Sequence, residues 1–224
     1  MIIKYFFIFV SIISLSPLCQ AKDTHSAVAE IRYWDWGNTP IRDNYQYELL
    51  GLVLEKSKSK YGHYELKRIA ADYTTARVRR ELSRGQILNV QIGPWRPASV
   101  KGLDPAIRID RDLYNGLLGY RKLIVRKEDA DLYSEINSLQ QLKRYSAGVG
   151  KGWVDSEIFL SNGFRINSGT RFNTLVPMLK AKRFDFLSLS VIEADEVVAR
   201  ADVNYSVLVA QQPYLLCRYH LCFT

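Results

Sequence analysis

Short apolar runs that suit strands alternate with longer runs of helical periodicity, and this alternation restricts the fold more than any other feature of the sequence. Residues 31–36, 64–70 and 87–93 have the composition of strands. Between them, one run ends at Gly62, and another begins at Thr74 or Thr75 and ends at Gly85. Strands that alternate with helices in this order are typical of parallel sheets with crossover helices. The first half of the chain therefore predicts an α/β unit.

The same order repeats after residue 119. We predict strands near Leu123 and at 146–149, 164–167 and 184–189, with helices between them. Pro177 lies in one of these helical runs, and because proline breaks a helix interior we expect that helix to begin late, near Asn173, or to kink. A segment at 205–210 has the composition of a strand that crosses back. We predict two lobes, with residues 22–118 and 206–224 in the first and 119–205 in the second.

The segment 91–127 joins the two halves. An apolar run ends at Gly93-Pro94, and Trp95, Arg96 and Ser99 follow where the strand would open into a cleft. An extended crossing and a new strand around Leu123 come next. This order, with its flanking pattern, resembles the extracellular solute-binding proteins of bacterial amino-acid ABC transporters. The resemblance covers most of the chain after Ile31, and it implies a two-lobe periplasmic binding-protein fold with mostly parallel sheets and a hinge of crossing strands.

The resemblance also implies a function. Such a protein captures a small polar, amino-acid-like ligand by hinge closure, as a monomer, and delivers it to an inner-membrane ABC permease without a cofactor or any chemistry. A ligand-sensing or partner-binding module of the same fold without a transporter is the first alternative, and a secreted enzyme is a weaker one. The histidines, His25, His63 and His220, are scattered and do not have metal-ligand spacing.

The first 21 residues predict a cleaved secretory signal and hence a periplasmic location. Lys4 supplies a positive charge, residues 5–18 are largely apolar, and Cys19-Gln20-Ala21 approximates a cleavage site. An uncleaved anchor is the alternative, although the apolar run is shorter than the roughly 20 residues of a spanning helix. The formal charge of +8 suits anionic ligands, anionic envelope surfaces or solubility alone. A secreted chain rarely meets nucleic acid, so we predict no nucleic-acid partner.

The tryptophans fall where predicted strands end, which is where open α/β sheets bind ligands. They are Trp34, Trp36, Trp95 and Trp153. Rings at a cleft can stack on a flat ligand or hold a cation, or they can be packing residues. Trp34 alternates with Tyr33 and Asp35, and this alternation could instead direct it into the core.

Residues 148–152 form a glycine-rich loop between a predicted strand and helix, where backbone N–H groups favour an anion. Trp153 replaces the third glycine of a dinucleotide fingerprint, so the sequence favours a ligand carboxylate over a nucleotide. Gly150 and Gly152 are therefore the candidate backbone donors of the second lobe.

In the family that the chain resembles, an arginine of the first lobe meets the ligand carboxylate and an acidic side chain takes the amino group. Arg96 matches that arginine by position, and Arg77 and Arg121 are rivals. Asp35 and Asp155 are candidate partners of the amino group, although Asp155 could instead be a charge at the N-terminus of a helix. The implied ligand-binding set is Asp35, Trp36, Trp95, Arg96, Ser99, Arg121, Gly150, Gly152, Trp153, Asp155 and Ser188.

The sequence departs from the family in two places. Relatives often carry an arginine shortly after a run such as residues 183–186, but here no cation follows, although Ser188 or Ser190 could still donate a hydrogen bond. In relatives, further strands and helices also complete the first lobe after the segment that matches 205–210, whereas only 211–224 remain here. We expect a first lobe that is shorter than in the family, with apolar surface uncovered.

Overall fold

The computed structural model describes residues 28–94 and 106–200, and beyond them the backbone of strands at 207–209, 215–216 and 221–223. The predicted signal segment, residues 1–21, and the predicted site residues Trp95, Arg96 and Ser99 lie outside the described residues. Among the helices of the described residues, none has both the length and the apolar character needed to cross a membrane.

The first sheet is built from parallel strands at the start of the described chain. Strand β1 (Ala29–Asp35) pairs in parallel with β2 (Tyr64–Ala70). Helix α1 (Pro40–Tyr61) connects them, and it begins at a proline and ends before Gly62, whose φ is 85°. Proline is favoured at a first helical position and glycine after a last one, so local sequence accounts for both ends of α1.

Helix α2 (Thr75–Arg84) shows the same agreement between local sequence and structure. The Oγ1 atom of Thr74 accepts a hydrogen bond from the backbone N–H of Arg77 at 3.3 Å, so Thr74 rather than Thr75 is the cap. Gly85 ends the helix with a φ of 63°. Val78 and Leu82 are buried beneath the helix, as its periodicity predicts.

The third strand begins later than predicted. Strand β3 covers Ile92–Pro94, and a parallel bridge from Tyr33 to Val90 precedes it. At Asn89 the side chain adds to the backbone pairing: its Oδ1 accepts from the N–H of Arg32 at 2.8 Å and its Nδ2 donates to the carbonyl of Glu30 at 2.9 Å. The backbone N–H of Asn89 also donates to the carbonyl of Arg32, at 2.9 Å, so Asn89 is tied to β1 ahead of the regular strand.

A larger, six-stranded sheet holds the second half of the chain, in the order β6-β5-β7-β4-β8 with β9 also paired to β4. Its strands are β4 (Tyr120–Arg126), β5 (Ala147–Gly150), β6 (Ile166–Gly169), β7 (Phe186–Ser190), β8 (Val207–Val209) and β9 (Leu215–Leu216). Its helices are α3 (Ala130–Ser134), α4 (Leu139–Leu142), α5 (Val154–Ser161), α6 (Leu175–Lys180) and α7 (Ala194–Ala199). The predicted α/β class is confirmed, and the antiparallel pairs of the described strands all involve β4 or β10 (Leu221–Phe223).

Pro177 is accommodated by the late helix start that the sequence predicts. A 3₁₀ turn at Phe172–Thr174 precedes α6, so Pro177 lies in the first turn of the α-helix. Backbone N–H groups in a first turn have no intrahelical acceptor, and the missing N–H of proline therefore costs little there.

The end of the chain contacts two different sheets. Strands β8 and β9 pair antiparallel with β4 in the large sheet, whereas β10 pairs antiparallel with β3 in a two-stranded sheet of their own. The isolated bridge from Tyr33 to Val90 links β1 to the segment just before β3. The division into two lobes at these boundaries stays a prediction.

Candidate functional site

A cleft of about 200 Å³ lies between the two sheets. One wall comes from the end of β1, the segment 72–75 with helix α2, and strand β3. The other comes from β4, the loop 150–154, the loop 170–172 and the end of β7. The parallel strands β1, β5 and β6 all direct their carboxyl ends toward it, which is where ligands bind in open α/β sheets.

Three aromatic rings from both walls meet in the cleft. The ring of Trp36 lies edge-on to Phe172, with centroids 4.7 Å apart, and edge-on to Trp153 at 6.3 Å. Trp153 and Phe172 stack on each other at 6.3 Å. Trp36 and Trp153 also pack against the buried core of the large sheet. These two tryptophans thus line the cleft and serve as packing residues at once, and their contact with a ligand stays a prediction.

Trp34 also lines the cleft rather than entering the core. Its indole N–H donates to the carbonyl of Ala71 at 3.0 Å. The neighbouring Tyr33 points the other way and is 1% exposed, in the core with Leu50. Alternation along β1 therefore places Tyr33, and not Trp34, inside the first half of the molecule.

The glycine-rich loop offers fewer free donors than the sequence predicts. The N–H of Lys151 donates to the carbonyl of Gly169 at 2.8 Å, and that of Trp153 donates to Gly150 at 3.0 Å. A Cβ atom at Gly150 would lie 2.2 Å from the Trp153 indole, so glycine is needed there to let the ring lie on the strand. Gly152 has a φ of 81°, which explains the second glycine of the loop.

A buried ion pair lies at the base of the cleft. Nη2 of Arg121 is 2.6 Å from Oδ1 of Asp155, and both residues are buried and line the cleft. Burial raises the pKa of the Asp155 carboxyl, the charge of Arg121 opposes that rise, and the nearby Glu193 adds to it. Asp155 lies in the first turn of α5, so it also carries the helix-terminal charge that the sequence offers as its alternative role.

Ser188 holds Arg121 in place instead of lining the cleft. Its carbonyl accepts from Nη2 of Arg121 at 2.9 Å and its Oγ accepts from Nε at 3.4 Å. Ser190 donates from its Oγ to the carbonyl of Leu117 at 3.2 Å. Both serines are buried, and the structure gives them positioning roles within the large sheet.

Two other candidates are engaged away from the cleft. The Asp35 carboxylate accepts from Nε of Arg68 at 2.6 Å and from the N–H of Gly37 at 2.9 Å, so its placement favours a role in the turn after β1. The guanidinium of Arg77 lies 4.0 Å from the centre of the Tyr73 ring and is exposed beside Glu81. Neither Asp35 nor Arg77 is in the cleft wall.

Sequence reasoning missed the pair that links the two walls, Arg42 and Glu193. Arg42 lies in the first turn of α1, 2.7 Å from Asp43 and 4.6 Å from the centre of the Trp36 ring, and its Nη1 forms an ion pair with Glu193 across the cleft. A cation in a first helical turn opposes the helix dipole, and this is the sequence signal that could have indicated an outside partner.

Further contacts join the walls at the rim. The backbone N–H of Ile41 donates to Oε1 of Glu196 at 2.9 Å, and Arg171 lies 3.5 Å from Asp72.

Among the residues that the structure describes, no group of histidine, cysteine and acidic side chains could hold a metal ion. The described cleft is therefore lined by aromatic rings and by charged groups that pair within the protein.

Comparison with known proteins establishes the fold. No family model and no curated protein matches the sequence. The structure is similar to that of a protein described as a binding component of an ABC transporter from Wolinella succinogenes in complex with lysine; the TM-score is 0.61 at 10% identity, over 87% of this chain and 81% of the other. The chain has the periplasmic binding-protein fold.

Other structures with this fold come from different kinds of protein. An arginine transport system periplasmic binding protein from Legionella pneumophila gives a TM-score of 0.59 at 10% identity, over 88% of this chain and 85% of the other. A histidine kinase sensor domain with similarity to periplasmic binding proteins gives a TM-score of 0.58 at 11% identity, over 88% of this chain and 82% of the other. The periplasmic binding-protein fold thus accounts for the two sheets and for the cleft between them.

Proposed function

We propose that this protein is a solute-binding protein that captures a small amino-acid-like ligand between its two sheets and performs no chemistry. The observation that carries the proposal is the cleft, which lies at the carboxyl ends of parallel strands and takes side chains from both sheets. Structures of the same fold are described in complex with lysine and arginine, which supports an amino-acid-like ligand.

The proposed mechanism is a population shift. A ligand that touches both walls only when they approach each other stabilises the closed form by its differential affinity. In this proposal Asp155, held by Arg121, accepts the ligand's ammonium group, and Arg96 meets its carboxylate. Trp36 and Trp153 enclose the rest of the ligand from opposite walls.

A thermal-shift screen against amino acids, small peptides, polyamines and organic acids tests the proposal. A ligand present at 100 times its dissociation constant should add about 2.7 kcal/mol to the free energy of unfolding. Small-angle scattering with and without the hit should then show compaction. If no compound in the screen stabilises the purified protein, the proposed capture function is wrong.

Arg96→Ala tests the proposed carboxylate contact. Loss of a charge-assisted hydrogen bond should weaken ligand binding by roughly 1.5–3 kcal/mol. Arg144→Ala is the matched control, because Arg144 is exposed and is not in the cleft wall. Equal affinity in both variants, measured by calorimetry, would reject the assignment. Trp153→Ala should also reduce the ligand-induced change in tryptophan fluorescence.

The proposal extends to location and partners. We propose a periplasmic monomer that begins near Lys22 after removal of residues 1–21 and that delivers its ligand to an inner-membrane ABC permease. Mass measurement of the exported protein should show the shortened chain, and light scattering should give the mass of one copy. A membrane-bound product that retains Met1 would contradict this location.

A ligand-sensing module of the same fold is the second candidate function. The similarity of the structure to a histidine kinase sensor domain supports it, because that domain has the same fold. Deleting the gene and measuring uptake of the identified ligand separates the two candidates. Reduced uptake supports the transport role, whereas normal uptake with a lost cellular response to the ligand supports the sensing role.

A further inference from the structure

Each carboxylate in the described part of the cleft wall already has an arginine partner within the chain. Asp155 pairs with Arg121 at 2.6 Å, Asp72 pairs with Arg171 at 3.5 Å, and Glu193 pairs with Arg42. The second carboxylate oxygen of Glu193 accepts from the N–H of Ser190 at 3.1 Å. If Asp155 is shared with a ligand's α-ammonium, a second cationic group of the ligand has to compete with an arginine of the protein.

Two aromatic rings of the cleft wall already carry arginines of the chain. The guanidinium carbon of Arg42 lies 4.6 Å from the centre of the Trp36 ring, and that of Arg77 lies 4.0 Å from the centre of the Tyr73 ring. A cation gains from an aromatic face only when it lies directly over it. At Trp36 and Tyr73, a lysine or arginine ligand would therefore compete with an arginine of the protein for the ring face.

Much of the remaining wall is apolar. Apolar side chains from β1, α2, β3, β7 and the 3₁₀ turn before β4 contribute to it: Trp34, Val78, Leu82, Ile92, Leu118 and Leu189. Burying apolar ligand surface against such a wall is favourable by about 25 cal/mol per Å². A charged side chain placed there would instead lose its hydration without a partner.

We infer that the cleft selects amino acids with an apolar side chain and discriminates against lysine and arginine. This inference rests on the proposed capture of an amino-acid-like ligand and names its class. It separates the chain from the structures of the same fold that are described with lysine or arginine bound.

Calorimetry on the full-length mature protein tests the inference, with leucine, methionine and phenylalanine against lysine, arginine and glutamate. At least one apolar amino acid should bind 10-fold or more tightly than either basic one. Tighter binding of lysine, arginine or glutamate overturns the inference and leaves the proposed capture function standing. If no amino acid binds, both the inference and the capture of amino acids are wrong.

Arg171→Gln tests the part played by paired carboxylates. Arg171 is 56% exposed, so its replacement should leave folding unchanged, and it frees Asp72 at the rim. Lysine and arginine should then gain roughly threefold in affinity relative to the apolar ligand, which is the scale of a solvent-exposed ion pair. Arg144→Gln, an exposed arginine outside the cleft wall, is the control. Unchanged binding of the basic ligands to Arg171→Gln, or an equal gain for the apolar ligand, contradicts the inference.

Discussion

The two sheets of this protein reach stability by different means. The large sheet is buried on both faces: Ile124 and Leu187 point to one core cluster, and Leu123 and Phe186 point to another. The described part of the first sheet has one small cluster, in which Tyr33, Leu50 and Ile92 are the buried members. Apolar burial dominates folding stability, so we expect the large sheet to be the more stable part and the first sheet to open locally at a lower free-energy cost.

The arginines of the two halves also differ in where their partners lie. In the large sheet Arg121 is fixed by Asp155 and Ser188, whereas Arg42 on α1 divides its contacts between Asp43 and Glu193 on the opposite wall. The large sheet thus holds Arg121 through its own residues, whereas Arg42 reaches Glu193 on the opposite wall. Such an arrangement would suit the hinge closure proposed above.

The largest expected effect separates the two cores. Leu187→Ala removes a side chain that is 0% exposed in the large sheet and should lower the free energy of unfolding by about 3–5 kcal/mol. Leu50→Ala, at 6% exposed under the first sheet, should cost about 2–3 kcal/mol because the smaller cluster can relax around the cavity. Urea unfolding followed by circular dichroism measures both, and equal costs would remove the proposed difference between the sheets.

Breaking the buried ion pair should have an effect of similar size. Arg121→Leu leaves Asp155 buried without its cation, and we expect a loss of about 3–5 kcal/mol near neutral pH. Because burial raises the pKa of Asp155, protonation favours the folded state, so stability should recover as the pH falls toward the ordinary value of about 4.

The matched control for that pair is Arg171→Gln at the rim. Its ion pair with Asp72 is half-exposed, and exposed pairs contribute about 0–1 kcal/mol. A pH-independent loss in Arg121→Leu, measured by urea unfolding between pH 4 and pH 8, would show that the variant fails for another reason.

The contact between the walls should affect shape more than folding. Glu193→Gln keeps an acceptor for Ser190 but weakens the pair with Arg42 by roughly 1.5–3 kcal/mol, which shifts the molecule toward an open form. Small-angle scattering should show a larger radius of gyration with unchanged circular dichroism. Glu135→Gln, an exposed position on the large-sheet side, is the control, and an unchanged radius in Glu193→Gln would exclude the proposed closure contact.

The smallest effects distinguish two buried tyrosines. Tyr33→Phe removes a hydrogen bond of 2.8 Å to Gln46 and should cost about 0.5–1.5 kcal/mol. Tyr133→Phe should be neutral or slightly stabilising, because the Tyr133 hydroxyl is buried without a hydrogen-bond partner among the described residues.

The dependence of stability on pH above 10 tests the same two tyrosines, Tyr33 and Tyr133. Burial raises the pKa of both phenols above the ordinary 10.0, so the unfolded chain ionises first and stability falls as the pH rises above 10. Each variant should lose less stability there than the parent protein. Thermal melts across this pH range measure the loss of stability. A steeper loss in either variant would contradict the burial of that phenol.

Local signals in the sequence determined the order and the ends of the elements. Thr74 and Ser138 cap helices, Gly62 and Gly85 end them, and Pro177 delays one, because each acts on backbone groups within one helical turn. The apolar runs likewise predicted the strands to within a few residues. The third strand is the exception: it begins only at Ile92, and before it the side chain of Asn89 bonds to Arg32, which is 57 residues away.

Only the tertiary structure decided which charged groups pair with each other in the cleft. Arg42 and Glu193 are 151 residues apart, and Arg121 and Asp155 are 34 apart, so no local pattern pairs them. The sequence identified Arg121, Trp153 and Asp155 as candidates by residue type, but it could not tell that Ser188 would hold Arg121 or that Asp35 would turn to Arg68. Backbone preferences act over a few residues, whereas the partner of a charged side chain depends on which faces meet when the sheets pack.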